Sequence, residues 1–225
     1  MRPEADLALA LSLADDADAI TLARFRAADL HVDTKLDLTP VSEADRAAET
    51  ALRRRLARER PGEPVLGEEE GGDDSSGWVL DPIDGTRNYT RGIPIWATLI
   101  AYADRVAVVS APALGRRWWA QRGVGAFVNG QRIRVSAIDR LDHATVLVAL
   151  DRQPPARAWA AWHLRAFGDF WAHMLVAEGA AEVAFDANGL AIWDTAPLGI
   201  ILEESGGRFE NPVSWNGRLD VSGLR

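Results

Sequence analysis

The amino-acid sequence predicts a protein of mixed architecture, with an α+β first part and an α/β second part. Two stretches near the N-terminus are predicted to be helices, residues 4–28 from apolar residues at three- and four-residue spacing and residues 43–60 from a capping box at their start. Residues 78–135 instead carry short apolar runs separated by turn residues, which indicates a sheet. Beyond residue 136, apolar runs of strand and helix length alternate, which is typical of α/β structure.

The two N-terminal helices are predicted from different signals. The first, over residues 4–28, has the apolar spacing of an amphipathic helix, and we expect it to be structural. The second begins after Ser42, because Ser42 with Asp45 three residues later forms a capping box. Basic residues are concentrated near its end, where they complement the helix dipole. Pro61-Gly62 then ends this helix.

The middle of the chain is predicted to be a sheet whose strands follow each other closely. The predicted strands span residues 78–81, 96–103, 106–114, 116–121 and 126–135. Asn129-Gly130 lies between two apolar runs in the last of these and predicts a two-residue hairpin turn.

The remainder of the chain is predicted to alternate strands and helices. The elements are a strand at 144–150, a loop at 153–156, a helix at 169–181, a strand at 182–185, a helix at 194–207 and a strand at 208–210. We place a lobe boundary near residues 136–142.

Composition excludes several functional classes. The chain has no cysteine, so disulfides, zinc–thiolate sites, iron–sulfur clusters and a cysteine nucleophile are excluded, and any metal must be bound by oxygen or histidine. The formal net charge of −8 disfavours binding to nucleic acid. Since no apolar run reaches the ~18 residues of a membrane helix, and the N-terminus is acidic and alanine-rich, we expect a cytoplasmic protein with small-molecule partners.

The most specific chemical pattern is Asp81-Pro82-Ile83-Asp84-Gly85-Thr86, which follows an apolar strand directly. A strand that ends in a carboxylate places it at the edge of a sheet, where ligands bind in α/β folds. Asp81 and Asp84 would repel each other without a cation between them, and Gly85 and Thr86 offer backbone N–H groups to a phosphate. The alternative is a simple polar turn, since turns use the same residue types.

Two further carboxylates fit the same interpretation. Glu68 lies in the acidic loop 67–72 shortly before this strand, and Asp194 follows Trp193 before an apolar helix. The alternatives are a solvated acidic loop for Glu68 and a helix N-cap for Asp194.

Taken in order along the chain, these motifs resemble those of the inositol monophosphatase superfamily. The matching residues are Lys35, Asp37–Thr39, Asp45, Gly67–Glu69, Asp81–Thr86, and Trp193-Asp194 before Gly206-Gly207. The resemblance covers nearly the whole chain. It implies a layered αβαβα sandwich, magnesium-dependent hydrolysis of phosphate monoesters and a homodimer.

The resemblance also implies the metal ligands. One Mg²⁺ would be bound by Glu68, Asp81 and the carbonyl of Ile83, and a second by Asp81, Asp84 and Asp194. A third, weaker ion would reach Glu68 through water, so we expect two or three ions. Because all these ligands are hard oxygen atoms, they favour Mg²⁺, with Mn²⁺ as an alternative, over zinc or copper.

The catalytic residues implied by the resemblance are Glu68, Thr86 and Asp45. The Thr86 hydroxyl, oriented by Asp45, would act with Glu68 to position and deprotonate a metal-activated water for in-line attack on phosphorus. This role of Asp45 is compatible with its place in the capping box. Lys35, which is the only lysine in the chain, is expected near the metal loop, and a lone surface lysine is the alternative.

Four segments are most like the histidinol-phosphate phosphatases of actinobacteria within this superfamily, namely residues 33–49, 91–102, 108–127 and 165–180. The implied reaction converts L-histidinol phosphate to L-histidinol and phosphate, a step of histidine biosynthesis. The alternatives are an inositol-1-phosphate phosphatase and a phosphatase of 3′-phosphonucleotides such as adenosine 3′,5′-bisphosphate. A non-catalytic binding protein of the same fold is the alternative from a different class.

Specificity is predicted to come from the second part of the chain. Arg165 lies where family members contact substrate, and Asp169 could meet the cationic amine or imidazole of histidinol phosphate. An N-cap is the alternative for Asp169. Ala187 stands where the family has an acid, so Asp186 is the nearest candidate. The chain is also shortened around residues 150–162.

The predicted phosphate- and substrate-binding set therefore comprises Glu68, Ile83, Asp84, Gly85, Thr86, Arg165, Asp169, Asp186 and Asp194. The prediction divides the chain into an N-terminal lobe, residues 1–139, and a C-terminal lobe, residues 140–225. The first lobe carries most metal ligands, and the second carries the Trp193-Asp194 motif and the specificity residues.

Overall fold

The computed structural model describes residues 3–72, 74–149, 156–186 and 190–222. The chain forms two compact units: unit 1 is Met1–Arg117 with Ile192–Pro197, and unit 2 is Trp118–Ala191 with Leu198–Arg225. The lobes proposed over residues 1–139 and 140–225 stay a prediction.

Unit 1 combines three helices with two groups of strands. The helices are α1 (Pro3–Arg24), α2 (Glu43–Glu59) and α3 (Thr86–Thr90). The strands are β1 (Val32–Thr34), β2 (Pro40–Ser42), β3 (Val65–Gly67), β4 (Trp78–Asp84), β5 (Ala97–Tyr102) and β6 (Val106–Ala111). β1 and β2 form an antiparallel hairpin. β3, β4, β5 and β6 are neighbours in that order, and only the β3–β4 pair is parallel.

The elements of unit 1 follow the sequence signals closely. The capping box of Ser42 and Asp45 is present at the start of α2, which confirms the prediction. All six residues of β5 and of β6 are buried, as their continuous apolar runs indicate. α1 ends at Arg24, earlier than predicted, and Arg26 has a φ of 63°, outside the right-handed helical region, so the helix does not continue through it.

Unit 2 contains two groups of strands and two helices. The strands are β7 (Arg116–Gln121), β8 (Gly125–Val128), β9 (Gln131–Arg132), β10 (Thr145–Val148), β11 (His163–Arg165), β12 (Val183–Phe185), β13 (Arg208–Glu210) and β14 (Val213–Trp215). The helices are α4 (Asp169–Ala177) and α5 (Ile192–Glu204). The first two residues of β7 and the first six of α5 belong to unit 1.

The strands of unit 2 pair in two ways. β7, β8 and β9 are antiparallel neighbours. The other five strands have the order β11-β10-β12-β14-β13, with β10 parallel to both of its neighbours and the remaining pairs antiparallel. Asn129 and Gly130 have φ values of 47° and 80° between β8 and β9, which confirms the predicted hairpin turn.

Several boundaries in unit 2 differ from the prediction. α4 ends at Ala177, and α5 begins at Ile192, two residues before Asp194. The predicted loop at 153–156 lies outside the described residues except for Ala156, which begins a 3-10 helix, Ala156–Ala160. Residue 150, the end of a predicted strand, is also outside them. Across the described ranges, no helix has the length and apolar character needed to cross a membrane.

Candidate active site

The Asp81–Thr86 motif begins inside β4, which continues to Asp84 rather than ending at Asp81 as predicted. Asp81 pairs with Leu99 and Asp84 with Ala97, so the motif contains one extra residue relative to β5 and forms a β-bulge. In a regular strand, residues three apart face opposite sides of the sheet. The bulge removes this alternation, so both carboxylates can serve one site.

A third carboxylate comes from the first turn of α5. Carboxylate oxygens of Asp81, Asp84 and Asp194 all lie within 4.8 Å of one another. Asp194 is the third residue of the helix, so the N-cap alternative for Asp194 is wrong. The structure therefore brings together the three aspartates that were predicted to share a metal ion.

Asp81 is the buried member of this cluster. Its side chain is buried, and its N-terminal neighbours in β4 are buried too. Burial raises the pKa of the Asp81 carboxyl well above its usual range, and the nearby charges of Glu68, Asp84 and Asp194 raise it further. Ile83 N–H donates a 2.9 Å hydrogen bond to Asp81 Oδ1, which fixes the carboxylate.

These residues fit a divalent cation. Three carboxylates with oxygen atoms this close are destabilised by mutual repulsion, and a bound cation would remove that repulsion. The ligand atoms are all carboxylate oxygens, which hard cations such as Mg²⁺ and Mn²⁺ prefer. The polar-turn alternative for Asp81–Thr86 does not explain why Asp194 joins the cluster.

Glu68 lies beside this cluster and is held by the only lysine. Lys35 Nζ donates to Glu68 Oε1 at 2.8 Å and to Glu69 Oε1 at 2.7 Å. Burial disfavours the Lys35 ammonium, but the hydrogen bonds with Glu68 and Glu69 outweigh it and raise the Lys35 pKa. Glu68 thus belongs to a partly buried ion-pair network with Lys35 and Glu69, and its side chain is not freely solvated. Its predicted role as a metal ligand stays a prediction.

The loop that carries Glu68 is held by Glu49 of α2, a residue that was not among the predicted site residues. Glu49 is fully buried, and its carboxylate accepts hydrogen bonds from the backbone N–H groups of Glu69 at 2.7 Å and Glu70 at 3.0 Å. Arg53 Nε also donates to Glu49 at 2.8 Å. A Cβ atom at Gly67 would lie 2.1 Å from Glu49 Oε1, so this close approach requires glycine.

A signal for Glu49 was present in the sequence. Glu49 and Arg53 are four residues apart on a predicted helix, which is the spacing of an i,i+4 ion pair. What the sequence could not indicate is that the same carboxylate also binds the backbone of the acidic loop. That contact depends on the position of α2 relative to β3.

Asp45 and Thr86 are hydrogen-bonded, as predicted. Asp45 Oδ2 accepts from Ser42 N at 2.9 Å and from Ser42 Oγ at 2.6 Å, which leaves Oδ1 for Thr86 Oγ1 at 3.2 Å. Thr86 Oγ1 also lies 2.9 Å from the carbonyl oxygen of Ile83. Burial raises the Asp45 pKa, and the hydrogen bonds from Ser42 and Thr86 oppose this shift. Asp45 is thus both a capping-box residue and a partner of Thr86.

The chain turns sharply after β4. Gly85 has a φ of 82° and is the N-cap of α3, whose first residue is Thr86. Ile83 and Tyr89 are buried with Ala44 and Trp96 in one apolar cluster, which holds this turn on the start of α2. The predicted contact of Gly85 and Thr86 with phosphate stays a prediction.

The three predicted specificity residues lie in unit 2. Arg165 is the exposed last residue of β11, and its guanidinium donates to the carbonyl oxygen of Leu164 at 2.9 Å. Asp169 has a φ of 55° and is the first residue of α4, which Gly168 precedes at the N-cap position. Asp186 is 6% exposed. Ala187 lies outside the described residues.

Comparison with known proteins identifies close relatives over most of the chain. A histidinol-phosphatase of Mycobacterium tuberculosis is 47% identical, covering 91% of this chain and 86% of the relative. A histidinol-phosphatase of Streptomyces coelicolor is 45% identical, covering 95% and 93%. The crystal structure of the extragenic suppressor protein suhB from Bartonella henselae superposes with a TM-score of 0.84 at 28% identity and covers 95% of each chain.

The fold and the carboxylate site together define a phosphoric monoester hydrolase. The match to the inositol monophosphatase family spans residues 3–214, so the chain belongs to that family. Its similarity to solved members confirms the predicted fold class, an α+β fold of the inositol monophosphatase type.

Proposed function

We propose that this protein hydrolyses L-histidinol phosphate to L-histidinol and phosphate, a step of histidine biosynthesis. The observation that carries the proposal is the 47% and 45% identity to two histidinol-phosphatases over more than nine-tenths of the chain. The clustered aspartates support it, because they supply the oxygen ligands that a metal-dependent phosphatase needs.

In this proposal, Asp81, Asp84 and Asp194 bind one divalent cation, and Glu68, Asp81 and the carbonyl of Ile83 bind another. We propose Mg²⁺ as the ion, with Mn²⁺ as an alternative and two or three ions in total. When bound, such ions lower the pKa of water and neutralise charge on the phosphoryl and leaving oxygens.

Three side chains of the protein would handle the attacking water. Asp45 Oδ1 would accept the hydrogen bond of the Thr86 hydroxyl, and Ser42 holds the other carboxylate oxygen of Asp45 in place. Thr86 orients the water toward phosphorus, and Glu68 accepts its proton. Lys35 keeps the Glu68 carboxylate in place through a 2.8 Å contact. No covalent intermediate is required, which agrees with the absence of cysteine.

The remaining predicted residues would bind the substrate. Backbone N–H groups of Gly85 and Thr86 would contact the phosphate. Asp169 and Asp186 would pair with the cationic amine or imidazole, which an uncharged polyol does not possess. Arg165 would contact the substrate as well. The proposal also includes a homodimer and a cytoplasmic location, the latter supported by the absence of cysteine.

A substrate panel tests this function. We would measure kcat/KM with Mg²⁺ for histidinol phosphate, inositol 1-phosphate and adenosine 3′,5′-bisphosphate. We expect histidinol phosphate to be preferred by at least about tenfold, equivalent to ~1.4 kcal/mol in transition-state binding.

The other outcomes separate the alternatives. Preference for inositol 1-phosphate or the bisphosphate would assign the same chemistry to another substrate. Absence of turnover with every substrate would favour a non-catalytic binding protein of this fold.

A further inference from the structure

Unit 2 contains a cavity of about 490 Å³ that has an unusual charge for an acidic protein. Arg132, Arg134 and Arg218 line it, together with the single acidic residue Glu204. The chain as a whole carries a formal net charge of −8. Positive charge is therefore concentrated locally against the overall balance.

Glu204 does not neutralise these arginines. Its two carboxylate oxygens accept hydrogen bonds from the backbone N–H groups of Gly123 at 3.0 Å and Gly125 at 2.9 Å. Within the part of the chain that the structure describes, Arg132, Arg134 and Arg218 form no ion pair with any carboxylate. Three guanidinium groups thus remain available to a ligand.

One of these guanidinium groups is held in place by aromatic stacking. Arg132 Cζ lies 5.6 Å from the centre of the Phe127 ring, and Phe127 stacks on Trp119 with ring centres 4.2 Å apart. A guanidinium stacked on a ring keeps the N–H donors at its edge free for an anion. Little side-chain entropy would then be lost when Arg132 binds one.

Hydrogen bonds also hold the backbone next to Arg134 and Arg218 in place. The buried Asn216 side chain donates to the carbonyl oxygen of Ile138 at 2.7 Å and accepts from Arg218 N at 3.1 Å. Val135 N donates to Ser205 O at 3.2 Å, which fixes the chain next to Arg134. The cavity is therefore framed by segments that are already ordered.

We propose that this cavity is a binding site for a small phosphorylated anion with at least two negative charges. Guanidinium groups bind phosphate through paired N–H donors. The volume lies within the range of about 300–1,000 Å³ that small-molecule sites occupy. This site uses none of the residues assigned to hydrolysis, so it goes beyond the proposed function and does not depend on it.

Calorimetric titration with methylenebisphosphonate, a pyrophosphate analogue that cannot be hydrolysed, tests the proposal on the full chain with Mg²⁺. We expect saturable binding by the wild type and by Asp84→Asn. In the Asp84→Asn background, where the metal site cannot bind the anion, the added change Arg134→Gln/Arg218→Gln should weaken binding about tenfold or abolish it, since each charge-assisted hydrogen bond contributes substantially to affinity.

A matched control has the same change in charge at a different place. Arg54 and Arg58 are exposed on α2, and the double variant Arg54→Gln/Arg58→Gln should bind like the wild type. Equal weakening in both double variants would show a non-specific charge effect and overturn the proposal. Loss of binding in Asp84→Asn alone would assign the anion to the carboxylate site and overturn it as well.

Amide resonances locate the anion directly. In ¹H–¹⁵N spectra, we expect the largest shifts at Gly206 and Gly217, which line the cavity. Shifts confined to Gly85 and Thr86 would contradict the proposal. This readout does not require any variant to fold, and it is independent of whether histidinol phosphate is the substrate.

Discussion

A buried carboxylate such as Asp81 is costly to keep ionised, and here its neighbours add to that cost. Glu68, Asp84 and Asp194 all raise the Asp81 pKa in addition to the effect of burial. An arrangement of this kind destabilises the fold unless a ligand compensates for it. The burial of Asp81 and the charges around it therefore favour binding of a cation at this site.

Replacing Asp84 by asparagine tests this arrangement. We expect kcat/KM with Mg²⁺ to fall by roughly 100-fold or more, since even residues outside the ligand shell change metal-dependent activity by 10- to 100-fold. In metal-free buffer the unfolding free energy should be unchanged or higher, because one of three repelling carboxylates becomes neutral. Steady-state kinetics and chemical denaturation measure the two effects.

The control is Asp139→Asn, which removes an exposed carboxylate. Asp139→Asn should change neither kcat/KM nor the unfolding free energy. Full Mg²⁺-dependent turnover in Asp84→Asn would mean that the metal site lies elsewhere.

The buried side chain of His173 makes the unfolding free energy depend on pH. Its ring is fully buried, its Nδ1 lies 2.9 Å from Ser214 Oγ, and burial lowers its pKa from 6.5 to about 4. The unfolded chain therefore binds more protons than the folded chain between those pH values. Stability from this group is complete above pH 6.5 and is lost as the pH falls toward 4.

We expect the unfolding free energy to fall by roughly 3 kcal/mol over this interval because of His173 alone. The dependence should be smaller in His173→Gln, whereas His143→Gln, at an exposed position, should follow the wild type. Urea denaturation at several pH values measures the slopes. Identical slopes in all three proteins would contradict the assignment.

At the scale of elements, the start of α2 contributes both to helix stability and to the predicted active site. Ser42 caps the helix and binds Asp45, and Asp45 in turn binds the Thr86 hydroxyl at the start of α3. A single serine thus supports the helix terminus and the orientation of a predicted catalytic group.

Ser42→Ala should therefore have two effects. Loss of the cap should lower the unfolding free energy by about 1 kcal/mol, within the usual range for such substitutions. Loss of the 2.6 Å hydrogen bond to Asp45 should also lower kcat several-fold, because Thr86 is no longer held. Ser42→Thr keeps the hydroxyl and should restore most of both. A stability loss without any change in kcat would separate Asp45 from catalysis.

Long elements with regular apolar spacing could be predicted from the sequence, as could the three-residue strands β12 and β13, whereas several other very short strands could not. α2, β5, β6 and the β8–β9 turn follow from spacing, caps and turn residues. β1, β3, β11 and β14 have only three residues each, so pairing with a neighbouring strand defines them rather than their own pattern.

Proline explains one wrong boundary. The strand predicted over 106–114 ends at Ala111, and Pro112–Leu114 form a 3-10 helix instead. Proline has no N–H group for the ladder, so the apolar run could not continue as a strand.

At the scale of the whole molecule, the formal net charge of −8 lowers the stability of the folded state, because folding brings like charges closer together. Binding of Mg²⁺ to the aspartate cluster should relieve part of this repulsion. At a concentration about 100 times the dissociation constant, a ligand of the folded state adds ~2.7 kcal/mol of stability. For a chain of this size that corresponds to a rise in Tm of about 5–10 °C.

Differential scanning fluorimetry with Mg²⁺ or with a chelator measures this change. Asp84→Asn should show little or none of the stabilisation, and Asp139→Asn should show all of it. A wild-type Tm that does not respond to Mg²⁺ would count against a high-affinity metal site.

The aspartate cluster could be predicted from the sequence, but the arginine cavity could not. The cluster's motifs lie next to strand and helix boundaries, so the chemistry could be inferred from local order. The cavity joins Arg132 and Arg134 of the β8–β9 hairpin region to Arg218 more than eighty residues later. Arginines are abundant in this chain, and only the fold distinguishes these three from the others.

The lone lysine has a practical consequence for handling the protein. Lys35 is the only side-chain amine in the chain, and it contacts Glu68 and Glu69. Reagents that acylate or cross-link lysine, including those used to immobilise proteins on a sensor surface, can modify only this one side chain. Attachment through lysine would therefore place the linker beside Glu68 and Glu69, and the raised pKa of Lys35 leaves little of the neutral amine that such reagents need. Coupling through another group is the appropriate choice.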